Sequence, residues 1–442
     1  MVVSRDKSPT AQETFLQMAQ AAGLRGRLLI TIGLLILVRL GIFIPIPDID
    51  RAAFAQAIAN SPVLGFLDIF TGGGISTIGI FALGILPYIN ASIIIQLLTS
   101  AVPALEDLQK NEGEAGRRKI SQYTRYVAVG WAVIQSVGLT IGLLRPYAVN
   151  YSPFFVFQTS LALTAGSLFV MWLSEIITER GIGNGASLLI FVNIVATLPT
   201  TLGNTIDYAQ TGGRQAIMQV TVLLLVFLVM IVAIVFVQEG TRRIPIISAR
   251  RQVGKRLYRE RTSYLPLRLN QGGVMPIIFA SAVLILPSSL AGFFNNKENL
   301  SVVSQLLVQM TNALQPGTWT YTIVYSVLIF FFSYFYASLI VNPEDVSKNL
   351  KKMGSSIPGI RPGKKTEEYL GGVLNRLTFL GAVFLSIVAT VPIFVERATG
   401  VTTFRGLGAT SLLILVGVAI DTAKQIQTYV ISQRYEGMIK QD

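Results

Sequence analysis

The 442-residue chain contains no cysteine and no histidine, and charged residues make up only 13% of it. Without cysteine there is no disulfide and no thiolate chemistry, and without histidine the chain lacks the commonest metal ligand and the usual general base. A soluble domain carries about 25% charged residues. Too few charges are present to solvate a surface of this size, so we expect much of the exterior to face lipid.

Apolar residues account for 52% of the chain. They form ten stretches of roughly 17–26 residues, a length that crosses a bilayer. The predicted spans are 28–46, 75–100, 126–144, 154–174, 186–203, 216–237, 272–294, 321–341, 377–395 and 407–423. The sequence therefore predicts an all-α integral membrane protein with ten transmembrane helices.

The basic residues are distributed unevenly about these spans. Of the 36 Lys and Arg residues, 29 lie on one side and 6 on the other, with Arg39 inside the first span. Positive residues are enriched in cytoplasmic loops, so we predict that both termini are cytoplasmic. Residues 1–20 show no cleavable signal pattern, and the first span is expected to direct its own insertion.

An external loop predicted at 204–215 divides the chain into two halves, 1–203 and 216–442, with five spans each. Because five is an odd number, the second half enters the membrane from the opposite side. Structural symmetry between the halves would therefore be inverted, about an axis in the membrane plane. The loop would be the hinge between the two halves.

The segment 61–74, SPVLGFLDIFTGGG, is apolar but too short to cross a bilayer. Asp68 and three consecutive glycines make it a poor segment for contact with lipid. Irregular backbone at membrane depth is tolerated only inside protein or beside a water-filled cavity. The composition fits a re-entrant piece that lines or blocks a cavity, and it also fits an ordinary loop at the external interface.

The second span is interrupted by Gly79, Gly84 and Pro87. Proline lacks a backbone donor, so Pro87 is predicted to bend this helix. Ile85 and Ile89 are four residues apart and share one face. A bent helix with an isoleucine face suits a cavity wall, although isoleucine in a membrane helix more commonly faces lipid.

Two predicted cytoplasmic loops carry more positive charge than membrane orientation requires. Loop 238–271 has a net charge of +7, and loop 342–376 has a net charge of +3. RNA phosphates and an acidic protein face are both plausible partners. Surplus charge that sets orientation or attracts anionic lipid is the alternative.

Only Arg39 and Asp421 are ionisable residues inside the predicted spans. We expect Arg39 to have a structural role near a helix end or the interface, and Asp421 to pair with Lys424 three residues later. The sequence shows no Walker A motif, no metal-ligand cluster and no pair of carboxylates within the membrane. Catalysis is therefore not expected, and no cofactor or metal is predicted.

Several stretches closely resemble the SecY/Sec61 family of protein translocation channels, in the family's order. They are IFALGILPYINASIIIQLL (80–98), EGEAGRRKISQYTRY (112–126), ITERGIGNG (177–185), LPLRLNQGGVMPIIFA (265–280), IPGIRPG (357–363) and SLLI (411–414). The resemblance covers essentially the whole chain, and the loops are similar to those of the photosynthetic bacterial and plastid branch. It implies two inverted five-helix halves and a re-entrant plug helix.

The resemblance also implies roles for particular residues. Segment 61–74 would be the plug, with Leu64, Phe66, Leu67, Ile69, Phe70, Gly72 and Gly73. The pore ring would consist of Ile85, Ile89, Ile190, Ile278 and Ile414, with Ala186 at a position that often holds a larger apolar residue. The lateral gate, between spans 2 and 3 and spans 7 and 8, would include Pro87, Asn90, Ser92, Gln96, Pro276 and Ser281. Ribosome or motor docking would use Lys255, Arg256 and Arg361.

The function implied is that of a protein-conducting channel subunit, which passes unfolded secretory polypeptides across the membrane and releases membrane segments sideways into lipid. The implied partners are SecE and SecG in a heterotrimer, the SecA motor ATPase, the ribosome, signal sequences, nascent chains and lipid, with YidC and SecDF as further candidates. The implied location is the bacterial inner membrane or the thylakoid membrane. The alternatives are a secondary active transporter, which also has inverted repeats, and an assembly scaffold.

Overall fold

The computed structural model describes residues 22–60, 68, 71–110, 112–248, 251–253, 256–258, 262–291, 313–314, 318–400 and 409–439. Its helices are α1 (Ala22–Ile42), α2 (Arg51–Asn60), α3 (Gly74–Thr77), α4 (Leu86–Ala101), α5 (Pro103–Lys110), α6 (Gly113–Gly138), α7 (Pro153–Arg180), α8 (Gly185–Thr211), α9 (Gly213–Glu239), α10 (Met275–Ala291), α11 (Trp319–Ile340), α12 (Pro343–Lys352), α13 (Lys364–Thr399) and α14 (Ala409–Ile439). Its strands are β1 (Thr241–Ser248), β2 (Arg251–Val253), β3 (Arg256–Tyr258), β4 (Thr262–Arg268) and β5 (Ser355–Ser356). The predicted all-α class is confirmed, with a small β element added to it.

Within the described residues, six helical segments are long and apolar enough to cross a membrane, and a seventh joins them if α4 and α5 count as one bent span. The six are α6 to α9, α11 with its extension, and α13. The helices α4 and α5 meet at an angle of 104°. Each of the ten predicted spans contains a helix, and the number of ten crossings stays a prediction.

Several helices extend well beyond their predicted spans, and α6 and α13 do so at their N-terminal ends. Helix α6 begins at Gly113 and not near residue 126, and α13 begins at Lys364 and not near residue 377. Hydropathy marks only the part of a helix that lies in lipid, whereas charged pairs support its continuation in water. In α6, Arg118 and Glu114 form such a pair at 2.9 Å, four residues apart.

The second span differs from the continuous bent helix that we predicted at 75–100. Residues 78–85 form turns, and the helix proper begins at Leu86. Pro87 therefore lies in the first turn of α4, where its missing donor costs nothing, and it does not bend the helix. Gly84, with φ of +52°, supplies the left-handed residue that the preceding turn needs. The interruption predicted from the sequence is present, but it precedes the helix.

The predicted external loop at 204–215 is also largely helical. Helix α8 continues to Thr211, α9 starts at Gly213, and only Gly212 lies between them. The turn uses Gly213 with φ of +68°. Polar side chains such as Asp207 and Gln210 gave the segment the composition of a loop, but they also suit a helix that projects into water.

The largest hydrophobic core lies where helices of both halves meet. It contains buried residues of α1, α4, α7 and α8 from the first half, and of α9, α10, α11, α13 and α14 from the second. A second cluster, around Phe54, Leu144 and Leu163, packs α2 and the segment after it against α7. The interior between the two halves is therefore apolar over most of its extent.

The β element lies in the basic loop after α9. Strands β1 and β4 pair antiparallel, from Thr241 opposite Arg268 to Ile247 opposite Thr262, and β5 adds a short third strand. Ile244, Ile246 and Leu267 bury their side chains against α12 and α13. This packing joins the two basic loops, both predicted to be cytoplasmic, into one basic-loop unit, whereas the sequence predicted two separate loops.

Candidate functional site

The five isoleucines predicted to form a ring all lie in the main core cluster. Their exposed fractions range from 0% for Ile414 to 7% for Ile89. They come from four different helices and from the turn that precedes α4, since Ile85 is the residue before its first turn. None of the five faces outward, so the alternative that Ile85 and Ile89 contact lipid is wrong.

Three of these isoleucines share the wall of one cavity of about 370 Å³. Its lining includes Ile89, Ile190, Ile278, Ala186, Ser92 and Gln96. A wider cavity of about 730 Å³ lies beside it and shares Asn184, Ser187 and Met275 with it. The predicted isoleucine ring therefore lies next to a more polar cavity that is bordered by α8, α10 and α14.

Predicted gate residues lie on α4 and α10, which pack against one another. On α4, Gln96 Nε2 donates to Ser92 Oγ at 3.1 Å, and the other amide atom, Oε1, is buried with no hydrogen-bond partner in the structure. On α10, Ser281 Oγ donates to the carbonyl of Ile277 and lies 3.2 Å from Tyr325 Oη of α11. The remaining gate residues, Pro87, Asn90 and Pro276, lie in the same two helices, and Asn90 is buried.

Sequence analysis missed several residues that line the smaller cavity. Tyr336 of α11 and Phe279 of α10 reach it from the second half, and Glu175 of α7 reaches it from the first. Glu175 accepts a 2.8 Å hydrogen bond from Arg125, another lining residue. Arg125 and Glu175 each lie one position outside a predicted span, 126–144 and 154–174. The sequence signal that could have found them is a charged residue directly at the end of an apolar stretch.

Of the predicted plug, the structure describes Asp68 and residues 71–74, whereas Leu64, Phe66, Leu67, Ile69 and Phe70 lie outside the described residues. Gly72 and Gly73 have φ of +68° and +85°, which favours glycine at both positions. The Asp68 carboxylate accepts from the backbone N–H of Ser76 at 2.8 Å. Arg39 of α1 donates a hydrogen bond to the carbonyl of Gly72. The end of the predicted plug is thus in contact with the first span, and Arg39 has the structural role predicted for it.

Two of the three predicted docking residues, Arg256 and Arg361, lie on the basic-loop unit. Arg361 is exposed in a turn, and its carbonyl accepts from Thr366 Oγ1 at 3.0 Å. The carbonyl of Gly363 accepts from Ser347 Oγ at 2.8 Å, which ties this turn to α12. Arg256 starts β3, its backbone paired with Val253, and Lys255 lies outside the described residues.

An exposed ion pair also lies on the same unit. On α12, Glu344 accepts a 2.5 Å hydrogen bond from Lys348, and this bond raises the pKa of Lys348. The charge of Lys348 is thus offset by that of Glu344, and the basic residues in the last turn of α12 are Lys351 and Lys352.

The predicted pair of Asp421 with Lys424 is wrong. Asp421 faces Arg268 of β4 at 3.5 Å, and Lys424 lies 2.8 Å from Glu239 at the end of α9. Helix spacing places residues i and i+3 near each other, but longer-range partners were closer here. Both pairs link α14 to the base of the basic loop.

Comparison with known proteins places these features in context. A sequence model described as SecY matches residues 79–423. The chain is 84% identical to the protein translocase subunit SecY of Synechocystis sp. over 441 residues, covering all of both chains.

Two solved structures show the same fold. One is described as showing that the plug domain of the SecY protein stabilizes the closed state of the translocation channel; it has a TM-score of 0.63 and 17% identity, and covers 96% of this chain and 94% of that one. The other is Sec61 in the canine ribosome–channel complex, with a TM-score of 0.59, 16% identity and the same coverage. With a family match over most of its length and a relative 84% identical along all of it, the chain belongs to the SecY family.

Proposed function

We propose that this chain is the central channel subunit of a protein translocase, which passes unfolded secretory polypeptides across the membrane and releases membrane-protein segments sideways into lipid. The observation that carries the proposal is the burial of five isoleucines, from four helices and the turn that precedes α4, in one core between the halves. Family membership supports the same function, because the Synechocystis relative is named as a protein translocase subunit.

An isoleucine ring suits the physical task of such a channel. The passage must accept chains of any sequence, so side chains that bind particular groups would retain some cargoes and reject others. It must also conduct few ions at rest, and a narrow apolar constriction resists wetting. Aliphatic side chains meet both needs, because they bind no polar group specifically and can change rotamer as the cargo passes.

A sideways exit follows from the position of the smaller cavity. That cavity is bordered by α4 of the first half and by α10 and α11 of the second. A signal sequence contains a short apolar helix, which can enter between these helices and then partition into lipid. Separation of the halves as rigid bodies about Gly212 and Gly213 would open this seam.

The remaining roles belong to the same proposal. Segment 61–74 is the plug that closes the external side at rest. The basic-loop unit, which carries Arg256 and Arg361, faces the cytoplasm and docks a ribosome or a motor ATPase. SecE and SecG complete the complex, and the protein resides in the plasma membrane or the thylakoid membrane with both termini in the cytoplasm. A secondary transporter is not favoured, since such proteins commonly place ion-coupling carboxylates near the middle of the membrane.

The test is ion conductance of the purified complex in planar bilayers. Replacing Ile85, Ile89 and Ile278 together with Asn should raise resting conductance at least tenfold, because each change exchanges an apolar surface worth about 1.5–3 kcal/mol of transfer free energy for a polar one that holds water. The same variant should also accept cargo with a defective signal sequence. Replacing lipid-facing Ile217, Val222 and Leu225 with Ala is the control. Equal conductance in the ring variant and the wild type would contradict the ring assignment.

A further inference from the structure

The described end of the predicted plug is held by its own short hydrogen bonds. The N–H of Gly73 donates to the carbonyl of Asp68 at 2.8 Å, and the Asp68 carboxylate accepts from the N–H of Ser76. Thr71 Oγ1 also donates to the Asp68 carbonyl, at 3.0 Å. Asp68 is therefore linked by hydrogen bonds to Thr71, Gly73 and Ser76, and these bonds fix the described end of the predicted plug.

The chain that leaves this turn is fixed to the end of α1. The N–H of Ile80 donates to the carbonyl of Ile44 at 2.9 Å, and the N–H of Ile46 donates to the carbonyl of Ile78 at 3.1 Å. Gly79 lies so close to the carbonyl of Ile42 that a side chain would collide with it. Residues 78–80 are therefore tied to the end of α1, and the glycines at 72 and 73 are the nearest positions at which the backbone can turn freely.

Gly72 sits between two polar side chains of the first half. A Cβ at this position would lie 2.6 Å from Arg39 Nη1 and 2.7 Å from Asn193 Oδ1. Asn193 is buried on α8, one turn beyond Ile190 of the predicted ring. Gly72 therefore lies next to a residue that is one helical turn from the predicted isoleucine ring.

Arg39 and the residues around Gly72 provide each other with polar partners. The carbonyl of Gly72 lies outside any helix ladder, and it accepts the hydrogen bond that Arg39 donates. The guanidinium, within a largely apolar span, gains that carbonyl and lies within electrostatic range of the Asp68 carboxylate. Unpaired polar groups are costly in a membrane interior, so both groups lose when they separate.

We propose that Arg39 is the positioning residue that holds the plug in its closed place, through its hydrogen bond to Gly72 and together with Asn193, which lies beside the same glycine. This inference rests on the proposed plug role of segment 61–74. Displacement of the plug breaks the Arg39 bond, whereas the attachment at residues 78–80 survives. Arg39 thereby sets the resting balance between the closed and the displaced plug without contacting cargo.

The first experiment measures resting conductance of the purified complex, with and without deletion of residues 62–67. With the plug intact, Arg39→Gln should raise conductance roughly tenfold or more, the change expected for loss of one hydrogen bond to a charged group. Arg39→Lys keeps a charged donor and should restore most of the seal. In the deletion background, Arg39→Gln should add nothing. An unchanged conductance with the intact plug, or an equal rise in both backgrounds, would overturn the proposal.

The deletion alone separates the two ideas. If it leaves conductance unchanged, the plug role itself is wrong and the inference about Arg39 goes with it. If it raises conductance but Arg39→Gln with an intact plug does not, only the role of Arg39 is wrong.

A labelling assay covers the case in which Arg39→Gln assembles poorly. The chain has no native cysteine, so Thr71→Cys reports on the turn alone, and Thr71 is only 1% exposed at rest. Asn193→Ala removes the second polar side chain beside Gly72 and leaves the Arg39 donor in place. Either variant should speed maleimide labelling at position 71 about tenfold, and should leave a Thr99→Cys control on α4 unchanged. If position 71 is labelled as slowly in both variants as in the parent, the proposed role of Arg39 and Asn193 in holding Gly72 is refuted.

Discussion

Replacing Gly72 with alanine tests the proposed seating of the plug with a single methyl group. Gly72 has φ of +68°, and an added Cβ would meet Arg39 Nη1 at 2.6 Å and Asn193 Oδ1 at 2.7 Å. Both distances are shorter than side-chain carbons tolerate, so the guanidinium or the turn has to move. The substitution therefore strains the backbone and, at the same time, disturbs the contacts of Gly72 with Arg39 and Asn193.

The expected magnitude follows from two contributions. A left-handed conformation costs an L-residue roughly 1–2 kcal/mol relative to glycine. Weakening the hydrogen bond to Arg39 removes up to about 1.5–3 kcal/mol more, the usual contribution of a bond to a charged group. A displaced plug relieves both costs. Even the backbone term alone would raise the ratio of displaced to closed plug about 5- to 30-fold.

The assay is resting conductance of the complex in planar bilayers, with two glycine variants as controls. Gly354→Ala carries similar strain, at φ of +65°, but has no atom within 4 Å of its Cβ and lies in a cytoplasmic turn. Gly73→Ala, at φ of +85°, adds strain inside the plug turn, yet its nearest contact is Ser76 Oγ at 3.8 Å. The expected order of conductance is Gly72→Ala, then Gly73→Ala, then Gly354→Ala near the wild type. Equal conductance in the Gly72→Ala and Gly354→Ala complexes would refute the reasoning.

Two further predictions concern docking and the gate. Arg361→Glu should reduce motor- or ribosome-driven transport at least tenfold, since it reverses an exposed charge, while the amount of complex in the membrane stays normal; full transport would remove Arg361 from the docking surface. Cysteines at Ser92 and Ile278, which line one cavity, should crosslink in the resting complex, and an engaged signal sequence should suppress the product. A yield that is insensitive to cargo would argue against a sideways exit.

The recognisable motifs allowed much of the site to be named before its geometry was known. Ile190, Ile278 and Ile414 were identified only through their place in family motifs, and all three are buried in the shared core. Composition alone did not identify these residues as buried, because isoleucine is compatible with contact to lipid as well as with a protein core. Burial depends on which face of each helix meets a neighbour, and that is decided by long-range packing.

Other features escaped because their partners are distant in sequence. Arg27 donates to Tyr429 Oη at 2.6 Å across 402 residues, joining the first span to the last helix. Asp421 found Arg268 in place of its neighbour Lys424. Local spacing predicts partners within a helix turn, but it carries no information on which helices meet.

The sequence by itself determined the membrane class and the interruption of the second span, and it predicts the sidedness of the loops. Those properties depend on hydropathy, charge count and the local conformational limits of glycine and proline, all of which are written into consecutive residues. Only the tertiary structure decided that Pro87 starts α4, that the basic loop folds into a hairpin packed on α12 and α13, and that Arg39 and Asn193 enclose Gly72. Each of these requires groups that are far apart in the chain to compete for the same space, and packing alone settles that competition.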